Sequence, residues 1–239
     1  MHSFLRTPLR GSPPFPTAIL LTGDSKWGSA GASWPPLSEA LANVGIASLL
    51  FDYHGIGRSE GNPGDLTLTR GIENLKDVFT TLSDLPAIDL SRLAIIGTSF
   101  GASIAIASDT VWSRLRTMIL KTPASKLDEA YEMEFGREVM EQWKAGVYQP
   151  PNGVSYAAYI DAQKYDLLKN AENIRLPVLI VHGDSDTIVP ISRSKELAER
   201  IGGGADLVIV PGANHNFKQA GAQERFLEVT IEWLKKHLC

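Results

Sequence analysis

The chain has 239 residues, of which 44% are hydrophobic and 21% charged; this composition argues against a disordered chain and predicts one globular domain. Its formal net charge of −4 gives no electrostatic reason to bind nucleic acid or an anionic membrane. The single cysteine, Cys239, excludes an intrachain disulfide and leaves too few thiols for a cysteine-based zinc site.

The N-terminal residues 1–10 are basic but lack the apolar segment of a secretory signal. No apolar run approaches the ~18 residues that a membrane span requires. We therefore expect a cytoplasmic protein without membrane insertion.

Short apolar runs alternate with longer amphipathic segments, a pattern typical of βαβ units and a mostly parallel sheet. The predicted strands, in chain order, are 17–22, 46–53, 92–97, 116–121, 177–182 and 206–210. The predicted helices are 35–44, 66–82, 100–108, 191–201 and 222–237. Because the strands are short and apolar, we expect helices on both faces of the sheet, giving a three-layer α/β/α sandwich.

The alternation stops between about residues 123 and 172, where acidic and aromatic residues accompany a Pro-Pro-Asn-Gly turn at 150–153. We interpret this segment as a small helical cap inserted into a single domain that spans 1–239. Its aromatic residues Tyr131, Trp143 and Tyr148 either bind substrate or pack the cap against the domain. Its acidic residues are most simply a solvated helix face, but any that face a pocket would disfavour anionic substrates.

Residues 97–101, Gly-Thr-Ser-Phe-Gly, match the pattern G-x-S-x-G between an apolar strand and a helix. In this context the turn holds a serine in a strained conformation, and the helix N-terminus directs positive partial charge at a developing oxyanion. Ser99 is therefore the candidate nucleophile. The alternative is a structural turn without catalysis.

A serine hydroxyl needs a base, and His215 is the best placed of the five histidines because it follows the last predicted strand. Two aspartates, Asp184 and Asp186, follow the strand before it and could orient that base. Either could instead cap the next helix. The order serine, aspartate, histidine is typical of hydrolases with a nucleophile elbow.

With these motifs the chain resembles the α/β-hydrolase superfamily, specifically its bacterial esterase, thioesterase and serine-aminopeptidase-like members, which include dienelactone-hydrolase-like proteins. Residues 49–61 look like the family's D-x-x-G-x-G-x-S block, a loop-building element, and 182–190 resemble its acid loop, H-G-x-x-D-x-x-V-P. The second match selects Asp186 over Asp184. The resemblance thus implies a triad of Ser99, Asp186 and His215.

The resemblance also implies an oxyanion hole made by the backbone amides of Phe100 and Asp24. Here the sequence departs from the family, which usually has His-Gly where this chain has Thr22-Gly23-Asp24. Backbone amides can still serve, but an acidic side chain at this position is unusual. The short N-terminus predicts that the family's first hairpin is reduced, leaving a sheet of seven strands or fewer.

The implied activity is that of a serine hydrolase that cleaves a small-molecule carboxylic ester through an acyl-enzyme, with no metal and no organic cofactor. Acyl thioesterases, lipases and serine peptidases share this machinery, so the motifs do not separate them. A non-catalytic homologue that binds a small molecule or a partner is the alternative from a different class. The sequence makes no prediction of oligomeric state.

Overall fold

A seven-stranded sheet forms the centre of the computed structural model, which describes residues 1–238, so that Cys239 lies outside the described residues. The strand order is β1-β3-β2-β4-β5-β6-β7; β1 runs antiparallel to β3, and the other neighbours are parallel. The strands are β1 (Ser3–Arg6), β2 (Phe15–Leu21), β3 (Ala47–Phe51), β4 (Ile88–Thr98), β5 (Thr117–Lys121), β6 (Val178–Gly183) and β7 (Ala205–Val210).

Helices connect these strands. They are α1 (Trp34–Asn43), α2 (Leu68–Thr81), α3 (Phe100–Ala107), α4 (Asp109–Trp112), α5 (Leu127–Lys144), α6 (Ala157–Ala162), α7 (Leu167–Ala171), α8 (Ile191–Arg200) and α9 (Ala222–His237). Within residues 1–238, no helix has both the length and the hydrophobicity to cross a lipid bilayer.

Two buried apolar clusters cover the two faces of the sheet. Residues of α1 and α9 pack on one face, and residues of α2, α3, α8 and the segment 123–172 pack on the other. Every residue of β2, β3, β5 and β6 is buried. The predicted three-layer α/β/α sandwich with a mostly parallel sheet is therefore confirmed.

The edges of the sheet depart from this pattern. Strand β7 pairs only with β6 and is contacted by α8 and α9, but it is partly exposed, with Ile209 41% accessible, so the helices cover this strand incompletely. At the other edge, β1 is not predicted from the sequence because four residues are too few to show a strand period. One short antiparallel strand and a total of seven agree with a reduced N-terminal hairpin.

The segment 123–172, predicted as a cap, contains α5, α6 and α7. Gly136 breaks the helical conformation inside α5, with φ of 70°. Asp161 of α6 joins this segment to the rest of the domain, since its carboxylate accepts hydrogen bonds from the backbone N and the Oγ1 of Thr69 at 2.7 and 2.8 Å. These bonds satisfy an amide in the first turn of α2 that has no intrahelical acceptor.

Candidate active site

Ser99 occupies a sharp turn between the end of β4 and the start of α3. Its φ is 51°, a left-handed conformation that a residue with a side chain rarely adopts. The turn is possible because a glycine lies on each side of it: a Cβ at Gly97 would stand 2.7 Å from the carbonyl oxygen of Gly101, and a Cβ at Gly101 would stand 2.3 Å from that of Leu21. A sharp turn of this kind presents the serine hydroxyl at the top of the sheet, away from the backbone of the turn.

A hydrogen-bonded chain links Ser99 to the two other residues of the predicted triad. The imidazole Nε2 of His215 lies 3.1 Å from Ser99 Oγ, and its Nδ1 lies 2.7 Å from Asp186 Oδ2. A carboxylate only accepts, so Nδ1 carries the proton and Nε2 is free to accept from the serine hydroxyl. The three side chains are thus connected in the order that the predicted triad requires.

The carboxylate of Asp186 is held on both oxygens. Its Oδ1 accepts from the backbone amides of Ile188 and Val189, both at 2.9 Å, while Oδ2 faces His215 and, at 3.2 Å, Nε2 of His182. Burial raises the pKa of this carboxyl, but the hydrogen bonds from His182 and His215 outweigh it and hold the pKa well below its usual range. Asp186 therefore stays ionised, as an orienting residue must.

Asp184 has a different position. It is exposed, and its Oδ1 accepts from the backbone amide of Gly212 at 2.7 Å. This bond ties the loop after β6 to the loop after β7, which carries His215. Of the two aspartates weighed from the sequence, the structure brings only Asp186 to the histidine.

Two backbone segments border Ser99. The amide of Phe100 begins α3, where N–H groups have no intrahelical acceptor. On the other side of Ser99, a Cβ at Gly23 would lie 3.9 Å from the serine Cβ, so the turn that leads into Asp24 passes directly beside it. The start of α3 and the turn that leads into Asp24 thus lie on two sides of Ser99.

The side chain of Asp24 complicates this hole. Its half-buried carboxyl accepts a long hydrogen bond, 3.5 Å, from the Tyr131 hydroxyl. Burial raises the pKa of this carboxyl, whereas its own amide and the nearby charge of His215 lower it. A carboxyl that burial shifts toward its neutral form thus lies in the same turn as the amide predicted for the oxyanion.

Glu134 of α5 adds a second acidic group near the site. Its side chain is exposed, yet partial desolvation and the charge of Asp24 raise its pKa, and His215 lowers it. Glu134 thus lies on the solvated face expected from the sequence, while its charge also acts on His215.

The three aromatic residues predicted to bind substrate lie in one cluster of the cap segment. Trp143 is only 3% exposed, donates from Nε1 to the carbonyl of Val154 at 3.2 Å, and packs edge-on against Tyr131. Tyr131 is buried and reaches Asp24, while Tyr148 is half-buried beyond Phe135. Tyr131 is therefore the one of the three placed beside the site, and Trp143 is mainly a packing residue.

The sequence alone does not identify His182 as a residue near the site. It ends a predicted strand, and the residue expected at such a position is the acid of the triad. The feature that could have identified His182 is a polar side chain within an apolar, fully buried strand.

Among residues 1–238, no group of three or more histidine, cysteine or acidic side chains is placed to hold a metal ion.

Comparisons with known proteins agree with the fold. The chain is 26% identical over 180 residues to the uncharacterized protein Rv2307c of Mycobacterium tuberculosis, covering 75% of this chain and 57% of the relative. It is 24% identical over 216 residues to human mitochondrial palmitoyl-protein thioesterase ABHD10, covering 82% and 65%. The chain thus spans about three fifths of the length of these relatives.

Among solved structures, Est1E from Butyrivibrio proteoclasticus with bound ferulic acid superposes with a TM-score of 0.86 at 23% identity, covering 99% of this chain and 94% of that one. The family model described as the prolyl oligopeptidase family matches residues 39–239. Because this match takes in most of the chain, including β4, α3 and the loops after β6 and β7, the chain belongs to the prolyl oligopeptidase family within the α/β-hydrolase superfamily.

Proposed function

We propose that this chain is a serine hydrolase that cleaves carboxylic esters through an acyl-enzyme intermediate. The observation that carries the proposal is the unbroken chain of hydrogen bonds from Ser99 through His215 to Asp186, at 3.1 and 2.7 Å. A structural turn would need neither the strained φ of Ser99 nor a base at hydrogen-bond distance.

In the proposed reaction, His215 removes the Ser99 proton while Oγ attacks the ester carbonyl. The amides of Phe100 and Asp24 stabilise the oxyanion, and Asp186 stabilises the imidazolium that forms. The alkoxide then leaves with the proton from His215. Water, deprotonated by the same histidine, hydrolyses the acyl-enzyme and regenerates the serine.

We place an ester first because the charges that act on His215 besides that of Asp186 belong to the acids Asp24 and Glu134, which do not suit a nucleotide phosphate or a peptide carboxylate. The solved neighbour Est1E binds ferulic acid, and this likeness is consistent with a small acyl group. Fold similarity alone does not carry a substrate from one member to another.

An acyl thioesterase is the second candidate. It is favoured by the similarity to palmitoyl-protein thioesterase ABHD10, which extends over 82% of this chain. Thioesters and esters need the same nucleophile and oxyanion hole, so one site can serve both.

The test is a rapid-mixing assay with p-nitrophenyl butyrate. We expect a burst of p-nitrophenol close to one equivalent per active site, followed by slower turnover, and covalent labelling by a fluorophosphonate. The Ser99→Ala variant should lose the burst, the turnover and the label. A wild-type chain that shows neither burst nor label would favour a non-catalytic binding protein instead.

A substrate panel separates the candidates. Initial rates are compared for p-nitrophenyl esters of two to sixteen carbons, for acyl-CoA thioesters of the same chain lengths and for an aminoacyl p-nitroanilide. The proposal predicts the highest kcat/KM for an oxygen ester of a short acyl group. A higher kcat/KM for the matched thioester, or for the anilide, would move the assignment to a thioesterase or a peptidase.

A further inference from the structure

His182 is completely buried and lies outside the chain from Ser99 to Asp186. It is the penultimate residue of β6, four positions before Asp186. Its Nδ1 lies 2.6 Å from Oγ of Ser194 on α8, and its Nε2 lies 2.9 Å from the carbonyl oxygen of Val189 and 3.2 Å from Asp186 Oδ2. Both ring nitrogens are thus engaged, and one of them touches the triad.

The partners of His182 determine its tautomer. The carbonyl of Val189 and the carboxylate of Asp186 can only accept, so Nε2 must carry a proton. In the neutral ring Nδ1 is then an acceptor, and the hydroxyl of Ser194 donates to it. The opposite tautomer would set an imidazole lone pair against two oxygen acceptors in a site without water exposure, which is costly.

We infer that His182, with its tautomer set by Ser194, is a positioning residue that holds Asp186 in the orientation required by His215. Its Nε2–H is shared between Asp186 Oδ2 and the carbonyl of Val189, so it fixes the carboxylate and the loop 186–189 at once.

The contact between His182 and Asp186 restricts the orientation of the carboxylate, because both carboxylate oxygens are held by hydrogen bonds. Oδ1 is bound by the amides of Ile188 and Val189, and Oδ2 lies between the rings of His182 and His215. Without His182, Oδ2 would lose one of its two donors. The carboxylate could then rotate, and its hydrogen bond to His215 would weaken. Hydrogen bonds one step removed from a reacting group are worth about ten- to a hundredfold in activity.

The tautomer can be tested without any substrate. In ¹⁵N-labelled protein at pH 7, the ring nitrogens of His182 should show protonation on Nε2 and a bare Nδ1. The Ser194→Ala variant should change the Nδ1 signal while the Nε2 signal keeps its protonated form. Protonation of His182 on Nδ1 in the wild-type chain would overturn the inference.

The effect on catalysis, which rests on the proposed function, is tested with a donor and a non-donor at position 182. His182→Gln keeps an N–H for Asp186 and an oxygen for Ser194, whereas His182→Leu keeps only volume. With rates normalised to active sites by fluorophosphonate titration, we expect kcat to fall about ten- to a hundredfold in His182→Leu with KM within about twofold. His182→Gln should recover most of that loss.

Ser48→Ala is the matched control for Ser194→Ala. Ser48 is fully buried in β3, four strands from β6 in the sheet order, and its replacement should leave kcat unchanged. Equal kcat in wild type and His182→Leu, or equal losses in His182→Gln and His182→Leu, would overturn the positioning role. If His182→Leu does not fold, the kcat values of His182→Gln and Ser194→Ala are compared with that of wild type to test the positioning role.

The two proposals fail in different ways. A wild-type chain without burst, turnover or label refutes the hydrolase, and the tautomer measurement still decides the contact between His182 and Asp186. An active wild type with a kcat insensitive to His182 refutes the positioning role alone.

Discussion

At the scale of single residues, the two aspartates after β6 show how two acids of one loop come to lie in different surroundings. Asp186 turns inward, where four donors hold its carboxylate, and Asp184 turns outward to the amide of Gly212. Both are short acids in one loop, and a pattern of residue types alone leaves them equivalent.

Replacing Asp186 by asparagine should abolish most of the activity. An amide in place of the carboxylate can stabilise the wrong tautomer of His215 and cannot compensate its positive charge, so we expect kcat to fall on the order of 10⁴-fold. Steady-state hydrolysis of p-nitrophenyl butyrate measures this loss. Asp184→Asn is the control, because asparagine still accepts from Gly212, and its kcat should stay within about threefold of wild type. The opposite result would make Asp184 the catalytic acid.

Replacing Asp24 by alanine should increase the activity. The Asp24 carboxyl lies in the turn that carries the predicted oxyanion amide, where its ionised form would compete for that amide and oppose the charge of an oxyanion. One oxyanion donor is worth about 10²–10³ in kcat, so freeing a partly occupied one should raise kcat on a neutral ester by up to about tenfold.

Two comparison variants separate competition from charge. Asp24→Asn removes the charge but keeps an oxygen that can accept from the amide, and Glu134→Gln removes a nearby charge without touching the amide. If competition dominates, only Asp24→Ala gains the full increase. A lower kcat in Asp24→Ala would mean that the carboxyl holds the amide in place for the oxyanion.

At the scale of elements, the packing of α9 against β5 contains a buried cation. Lys121, the last residue of β5, is 4% exposed, and its ammonium group lies 4.3 and 4.8 Å from the ring centres of Phe217 and Phe226. Gln223 Oε1 is 3.3 Å away. Burial lowers the pKa of Lys121 to about 8. Because Phe217 follows His215 by two residues, this contact also supports the loop of the base.

We expect Lys121→Met to stabilise the fold near pH 7. The fall in pKa from 10.5 to about 8 corresponds to an unfavourable contribution of about 3 kcal/mol for the charged form, at ~1.4 kcal/mol per pKa unit. Methionine fills a similar volume without a charge, although it loses the attraction to the two rings. Urea unfolding at pH 7 should therefore give a free energy of unfolding that is about 1–3 kcal/mol higher.

The direction in which stability changes with pH follows from the same lowered pKa of Lys121. Between about pH 8 and 10.5 the unfolded chain keeps a proton on Lys121 that the folded chain has released, so this group makes the wild type more stable as pH rises. The advantage of Lys121→Met should shrink by pH 10. Lys236→Met, at an exposed lysine 5.8 Å from the Trp233 ring, is the control and should change little. A Lys121→Met variant less stable than wild type at pH 7 would show that the ring contacts outweigh desolvation.

How far the sequence predicts an element depends on how local its cause is. The central strands and the helices packed on them lie within a few residues of their predicted bounds. The spacing of apolar residues and the residues that end a helix or strand both lie within each segment, so the sequence shows them directly. Strand β1 is defined by pairing with β3, and α5 is interrupted at Gly136, where the sequence pattern gives no warning. The chain from Ser99 through His215 to Asp186 follows motif order, whereas the contacts of His182 and of Asp24 depend on how distant loops meet.

At the scale of the whole molecule, the chain carries an excess of negative charge, and part of it acts on His215. The net charge is −4, the charges of Asp24 and Glu134 act on His215, and Glu132 and Glu134 of α5 are exposed. Such a field repels anionic substrates during approach, and salt screens it over a Debye length of about 10 Å at 0.1 M. The substrate preference of this chain should therefore depend on ionic strength.

We expect p-nitrophenyl succinate, which carries a free carboxylate, to be hydrolysed with a lower kcat/KM than p-nitrophenyl butyrate, which has the same acyl length. Raising NaCl from 0.02 to 0.5 M should increase kcat/KM for the succinate about three- to tenfold and leave the butyrate nearly unchanged. Glu134→Gln should weaken this salt dependence. Glu232→Gln, an equal change of net charge on α9 at the opposite face of the sheet, should not. If both variants behave alike, the net charge rather than the acids beside His215 controls the approach, and equal salt dependence of the two esters would exclude electrostatic repulsion altogether.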